Sequence, residues 1–327
     1  MKATINKSAT KGTLTVPASK SLTIRALMCA ALSTGESQII NPLVADDTIA
    51  AARVLSQIGA EIQKKDGDSL SVTGGKFYAA PEDLDCGESA TTMRMMTALC
   101  SLIPGSHRLI GGPSLSARPI GSLVDALKRL GVKISTEKLG CPPVNVEGGT
   151  FRGGYTEIPG NVSSQFISAL LMVSPFSPKG VHIKLTTPLT SKPYILMTLW
   201  CLKQFNIVVR SEGNHFVVLR QRYLPTTIKI ESDWTSASYF LALGAMSEEG
   251  VTVQNMNLGS LQGDRIILDI LREMGARVTV TGSQVTVKYD HLRGIHVDLS
   301  DCIDLLPTVA ILGAVAKGTT DLIGIQR

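Results

Sequence analysis

The sequence predicts an α/β protein of two domains, built from one helix-and-strand module used repeatedly. Three observations carry that expectation. A chain of 327 residues exceeds what one ordinary core accommodates. Four segments read as a helix running into a strand: "AARVLSQIGAEI", "VDALKRLGVKI", "LWCLKQFNIVV" and "LDILREMGARVTV". Between them alternates a second, more apolar kind of helix, the pattern of segments buried on most sides.

The outer helices come first because their spacing is measurable. Gly59 and Gly131 stand 72 apart (131 − 59), and Gly275 lies 144 further on (275 − 131), twice that step. The missing copy falls near residue 203, where "KQFNIVV" puts Phe205 at the junction. A fixed period marks a duplicated unit, and glycine suits a helix end because it reaches the left-handed conformation freely. The inner helices are "SKSLTIRALMCAALSTG", "GESATTMRMMTALCSLIPG", "NVSSQFISALLMVSP", "DWTSASYFLALGAMSEEG" and "CIDLLPTVAILGAVAKG". The runs "VHIKLTT", "HFVVLR", "TIKIES", "VTVQNMN" and "QVTVKY" carry the β-branched alternation of strands. Residues 18–229 then make a complete domain of three units. Residues 1–17 with 230–327 make a second. Five inner helices against four outer ones predict that this second domain stops short of its last units, with marginal stability or exposed apolar surface as the consequence.

Composition narrows the function. With 44% apolar and 18% charged residues the chain is a folded globular protein. A net charge of +5, without a Lys/Arg block and with 5% aromatics, argues against nucleic acid and suits small anionic substrates. The start "MKATINKSATKG" lacks a signal peptide's apolar core, and no apolar run is long enough to cross a bilayer. Six cysteines without CxxC spacing suit thiols in a reducing cytoplasm, and five scattered histidines predict no metal site.

The chemistry gathers where the inner helices begin. Four of them open on small hydroxyl residues: Ser19 and Ser21; Ser89, Thr91 and Thr92; Ser163 and Ser164; Thr235, Ser236 and Ser238. At any one helix N-capping explains this. Repeated on equivalent units, it favours a shared anion site, because helix N-termini offer free N–H donors and partial positive charge. Lys20, Arg94 and Arg118 would reinforce it, and Ser21 and Arg25 share a helix face. Arg94 can equally be a structural arginine paired with an acid. Arg118, before Pro119, is either a surface residue or a rigid fork for phosphate or carboxylate. Asp304 either caps its helix or gains strength as a base from an apolar setting. Ser191, in "SKPY", reads as another cap with proline in the first turn.

Taken together, "PASKSLTIRALMCAAL", "ARPIGSLVDALKRLG", "VSSQFISALLMVSP", "TSKPYI", "SDWTSASYFLALGA" and "LQGD" resemble the 5-enolpyruvylshikimate-3-phosphate synthase family, in the family's order and along essentially the whole chain. The resemblance implies the enolpyruvyl transferase fold, two domains of βαβαββ units with pseudo-threefold symmetry. It also implies transfer of the enolpyruvyl group of phosphoenolpyruvate to the 5-hydroxyl of shikimate 3-phosphate, without a cofactor, by a cytoplasmic monomer. By position, Lys20 resembles the lysine touching both substrates. Ser21, Arg25, Ser163, Ser164 and Ser191 resemble shikimate 3-phosphate ligands, and Gln165 the glutamine between the substrates. Arg118 resembles a phosphoenolpyruvate ligand, and Asp304 the acceptor of the 5-hydroxyl proton.

Two departures stand out. "CGESATTMR" has Glu88 and Ala90 where many members have asparagine and glycine; an alanine methyl there would narrow the phosphoenolpyruvate pocket and favour glyphosate resistance. The family's R-x-K-E-x-D-R segment and its late histidine, arginine and lysine ligands would lie beyond Arg327, so the resemblance covers the shikimate half of the site better. The neighbouring readings are the sister transferase acting on UDP-N-acetylglucosamine, which usually has K-N where Lys20-Ser21 stand, and an inactive fragment that binds shikimate 3-phosphate.

Overall fold

The computed structural model describes Thr4, residues 10–138 and residues 140–326. The rest of the N-terminal lead-in lies outside the described residues. The chain forms two compact units, Ala18–Ile230 and Met1–Pro17 with Glu231–Arg327.

Along the chain, β1 (Gly12–Thr15) precedes α1 (Lys20–Leu32), β2 (Gly35–Ile40), α2 (Asp46–Gln57), β3 (Glu61–Lys65) and β4 (Ser69–Gly74). Next come β5 (Leu84–Asp85), α3 (Ala90–Cys100), β6 (Gly105–Ile110), the one-turn α4 (Pro113–Ser116), α5 (Gly121–Arg129), β7 (Lys133–Lys138) and β8 (Cys141–Gly148). A third module runs β9 (Gly154–Ile158), α6 (Ser164–Val173), β10 (Val181–Leu185), α7 (Lys192–Gln204), β11 (Arg210–Glu212) and β12 (His215–Val218), before β13 (Thr227–Lys229). The second unit adds α8 (Trp234–Ala245), β14 (Val251–Gln254), α9 (Ile267–Glu273), β15 (Arg277–Thr281), β16 (Gln284–Lys288), β17 (His296–Asp298), α10 (Leu306–Val315) and β18 (Asp321–Ile323).

The modules share one topology. Sheets β13-β2-β4-β3, β5-β6-β8-β7 and β9-β10-β12-β11 in the first unit match β1-β14-β16-β15 in the second. In each, the first two strands are parallel and the rest antiparallel. That is βαβαββ with the inner helix as first crossover, and parallel β17 and β18 around α10 repeat its opening half. Two strands are exchanged in sequence. β1 precedes α1 yet pairs with β14, while β13 returns to pair with β2 and completes the module of α1.

The repeat junctions follow the expected chemistry with one correction. Gly59, Gly131 and Gly275 take φ of 113°, 92° and 100°. In the α7 copy the left-handed residue is Asn206 (φ 65°), and Phe205 is the buried helix cap before it. Asparagine is the other residue that enters this region readily.

Burial separates the units. Eleven of thirteen residues of α1, nine of eleven of α3 and nine of ten of α6 are buried, so these three form the centre of the first core. In the second unit α8 and α10 bury seven of twelve and three of ten residues. Their other faces expose Tyr239, Phe240, Leu243, Ile311 and Val315. Among the described residues no helix is long and apolar enough to cross a membrane.

Candidate active site

The heads of α1, α3 and α6 are tied to one another by polar contacts. Ser89 caps α3, accepting from Thr92 N at 3.4 Å, and Ser163 caps α6, accepting from Gln165 N at 3.3 Å. Capping therefore holds for these two. It fails for α1, where the Ser19 hydroxyl makes no cap bond and is buried without a partner among the described residues. Lys20 pairs with Asp47, in the first turn of α2, at 2.9 Å. The Thr92 hydroxyl, itself 2.8 Å from Ser89 Oγ, donates to the Asp47 carbonyl at 3.4 Å. Asp47 thus joins the head of α1 to the head of α3.

Arg25 lies inside the first unit, 1% exposed, and donates to neutral oxygens. Its Nε donates to Thr198 Oγ1 at 2.8 Å, Nη1 to the Ser21 carbonyl at 2.8 Å, and Nη2 to the Tyr194 carbonyl at 3.3 Å. Thr198 Oγ1 is in turn 2.7 Å from Ser168 Oγ, which carries the network from α1 through α7 to α6. Burial pushes Arg25 down to about 10, so it is still charged near neutral pH. The signal for this network is visible in sequence as lone hydroxyls in the apolar runs "QFISALLMV" and "ILMTLW".

Ser191 precedes α7 but is not a side-chain cap. It sits at φ 54° and ψ 40°, 3% exposed, with Pro193 in the first turn behind it. A non-glycine residue in that region stores backbone strain of about 1–3 kcal/mol.

Arg94 is the pivot between α3 and α6. Its Nη1 donates to Gln165 Oε1 at 2.5 Å and to Ser163 Oγ at 3.2 Å, and its guanidinium lies 4.8 Å from the centre of the Phe166 ring. Among the described residues no carboxylate pairs with it. Burial, and then the like charge of Arg118, push it down to about 10. Arg118, just after α4, reaches Ser114 Oγ from Nη2 at 3.4 Å, a long contact. Glu88 is committed elsewhere: its carboxylate accepts from Leu115 N at 2.8 Å and Ser114 N at 3.3 Å, capping α4. A Cβ at Gly112 would stand 2.2 Å from Glu88 Oε1, so this cap needs the glycine. Ala90, buried, is the first residue of α3. Two arginines near each other, neither in an ion pair among the described residues, form a site that an anion would complete.

In the second unit the hydroxyls at the head of α8 are used structurally. Asp233 caps the helix, accepting from Ser236 N at 2.7 Å, and the hydroxyls of Ser238 and Thr308 meet at 2.9 Å, joining α8 to α10. "LQGD" clamps the same helix end. Gln262 Oε1 accepts from Trp234 N at 3.0 Å, its amide donates to Ser232 O at 2.9 Å, and Thr235 donates to Asp264. Asp304 is exposed, in the 3-10 turn Ile303–Leu305 before α10, and the residue at that helix's N-cap is Leu305. The apolar surroundings expected for Asp304 belong instead to Asp264, which is 3% exposed. Among the described residues no group of three or more metal-ligating side chains is present.

The family model for EPSP synthase (3-phosphoshikimate 1-carboxyvinyltransferase) matches residues 5–327. A relative from Dehalococcoides mccartyi, named 3-phosphoshikimate 1-carboxyvinyltransferase, is 42% identical over 330 residues, covering 100% of this chain and 78% of its own length. One of the same name from Methanocaldococcus jannaschii is 39% identical over 317 residues, covering 95% of this chain and 74% of its own. The solved EPSP synthase of Acinetobacter baumannii superposes with a TM-score of 0.79 at 26% identity, over 96% of this chain and 73% of that one. With the repeated βαβαββ modules and the paired arginines already in place, these matches establish that the chain belongs to the EPSP synthase family.

Proposed function

We infer that this chain carries out the reaction for which its relatives are named, transferring the enolpyruvyl group of phosphoenolpyruvate to the 5-hydroxyl of shikimate 3-phosphate and releasing phosphate. This is a step of aromatic amino-acid biosynthesis. The observation that carries the reading is Arg94 with Arg118. Neither cation is in an ion pair among the described residues, and Arg94 stands beside the capped heads of α3 and α6. Both substrates are polyanions, and fixed cations with helix N-termini bind such groups without reorganising.

Residue roles follow from that chemistry and from the family. Lys20 contacts both substrates, exchanging Asp47 for a substrate anion. Ser163, Ser164, Ser21, Arg25 and Ser191 serve shikimate 3-phosphate, while Arg118 and the head of α3 at Ala90 serve phosphoenolpyruvate. Because Arg94 occupies Gln165 Oε1, the amide N–H groups of Gln165 are the donors left for substrate. Asp304 accepts the 5-hydroxyl proton as the hydroxyl oxygen adds to phosphoenolpyruvate. The tetrahedral adduct is held by the same cations until elimination expels phosphate. The protein acts as a cytoplasmic monomer on these small molecules, with no nucleic-acid or membrane partner; five of its six cysteines are buried free thiols, which supports a reducing compartment.

Phosphate release by the 327-residue chain is the test. Release that requires both substrates is the expected result. Release with UDP-N-acetylglucosamine in place of shikimate 3-phosphate would move the chain to the sister reaction. Binding of shikimate 3-phosphate without turnover would reduce it to a binding protein, and absence of that binding would sink the assignment.

A further inference from the structure

Two histidines that stand 33 residues apart in the sequence meet on the outer face of the third sheet. Along β10 the side chains of Val181, Ile183 and Leu185 are buried, so His182 and Lys184 lie on the opposite face. β10 and β12 are antiparallel with Lys184 opposite His215, which makes His182 and His215 diagonal neighbours. His182 Nε2 lies 2.8 Å from His215 Nδ1, and the ring centres are 4.9 Å apart at 47°. Tyr155, opposite His182 on β9, meets its ring edge-on at 5.4 Å. Both imidazoles are half-buried.

A hydrogen bond accounts for the pair at rest, with a proton on one facing nitrogen and a lone pair on the other. The same spacing suits a second occupant. Two imidazole nitrogens bound cis to one ion, at about 2.0–2.1 Å and about 90°, stand about 2.8–3.0 Å apart. A tetrahedral ion would hold them about 3.3–3.4 Å apart. The observed 2.8 Å matches the cis arrangement. Each ring has to turn about χ2, a broad torsion, to aim its nitrogen at a common ion. The shared proton moves to the other nitrogen of its own ring, so both imidazoles bind neutral and none is released. Lys184, the cation in register with His215, is drawn to Glu157 at 3.6 Å, and Glu212 stands opposite His215 on β11. Among the described residues no third ligating side chain completes the group, which leaves the remaining positions to water.

We propose that His182 and His215 form a two-histidine site for a divalent transition ion of tetragonal preference, copper(II) or nickel(II), which clamps β10 to β12. Imidazole suits both ions, and copper(II) binds such nitrogen sites most tightly of the divalent series. The ion joins two strands that α7 separates in sequence, so its binding stabilises the folded first unit. No residue given a role in the reaction lies on β9, β10 or β12, and the site stands or falls independently of that reaction.

The site is tested by titrating the full chain with copper(II), followed by calorimetry and electron paramagnetic resonance, and separately with nickel(II). One copper(II) per chain should bind with the nitrogen splittings of imidazole. His182→Ala and His215→Ala should each weaken binding by roughly tenfold or more, because the second ligand no longer closes the chelate within the molecule. His291→Ala removes an imidazole that is 95% exposed and paired with Asp290, and should leave binding unchanged. Nickel(II) should raise the urea midpoint of the wild type and of neither strand variant. Binding unmoved by both strand substitutions, or no copper(II) bound with imidazole splittings, overturns the site. Zinc(II) bound more tightly than copper(II) would overturn the tetragonal geometry.

Discussion

Replacing Arg94 with methionine should make the protein more stable and less able to bind its anionic substrate. The guanidinium is held without a counter-charge, pushed below its ordinary value to about 10 by burial and then by Arg118. For a base whose folded value is depressed, the destabilisation is fully present below that value and is relieved only as pH rises through it. At neutral pH it is therefore complete. That depression corresponds to about 3 kcal/mol. Methionine keeps apolar contact with Phe166 and forfeits the bonds to Ser163 and Gln165, which are only half-buried and can turn to water. Arg94→Met should then gain about 1–3 kcal/mol in urea denaturation. Phosphoenolpyruvate alone, at a hundredfold excess over its Kd and with no second substrate to allow turnover, should stabilise the wild type by about 2.7 kcal/mol and the variant far less. A variant destabilised by about 1 kcal/mol or more, with ligand stabilisation intact, would show that Arg94 is a structural residue.

Three further outcomes are expected. Ala90→Gly removes a methyl at the head of α3 and should strengthen glyphosate inhibition of phosphate release, at a stability cost of about 0.5–1 kcal/mol; unchanged inhibition would dismiss the methyl as a selector. Asn206→Ala should cost about 1 kcal/mol because alanine resists a φ of 65°, whereas Asn206→Gly should be neutral or better, as read from urea midpoints. Asp264→Asn should flatten the pH dependence of stability. With a folded value raised from 3.8 to about 7, the wild type loses stability as pH rises through that interval, by about 3 kcal/mol between pH 5 and 8, and an equal slope in the variant would contradict the burial of a titrating acid.

The modules were legible because each repeats two apolar periods, and periodicity is a local property of the chain. The α7 junction was misplaced by one residue because asparagine, like glycine, enters the left-handed region, and the left-handed residues there fall 75 (206 − 131) and 69 (275 − 206) apart around the 72-residue period. The site was legible only in its inventory. Arg25 finds Thr198 across 173 residues, and Arg94 finds Gln165 across 71, so neither partner follows from local spacing. The acid that tertiary packing buries is Asp264, while Asp304 stays exposed, because burial is decided by how helices meet rather than by flanking apolar letters.

The same distinction separates the two cations at the head of the first core. Lys20, its side chain half exposed, holds Asp47 at 2.9 Å, a pair worth about 0–1 kcal/mol. In the role proposed for Lys20, a substrate phosphate would displace that partner at small cost. Arg94 has no carboxylate partner to displace among the described residues, and Phe166 and Gln165 already fix its direction. An anionic ligand binding as proposed would therefore meet one cation that must be released and one already aimed. The aimed one carries its cost in the folded protein before any substrate arrives.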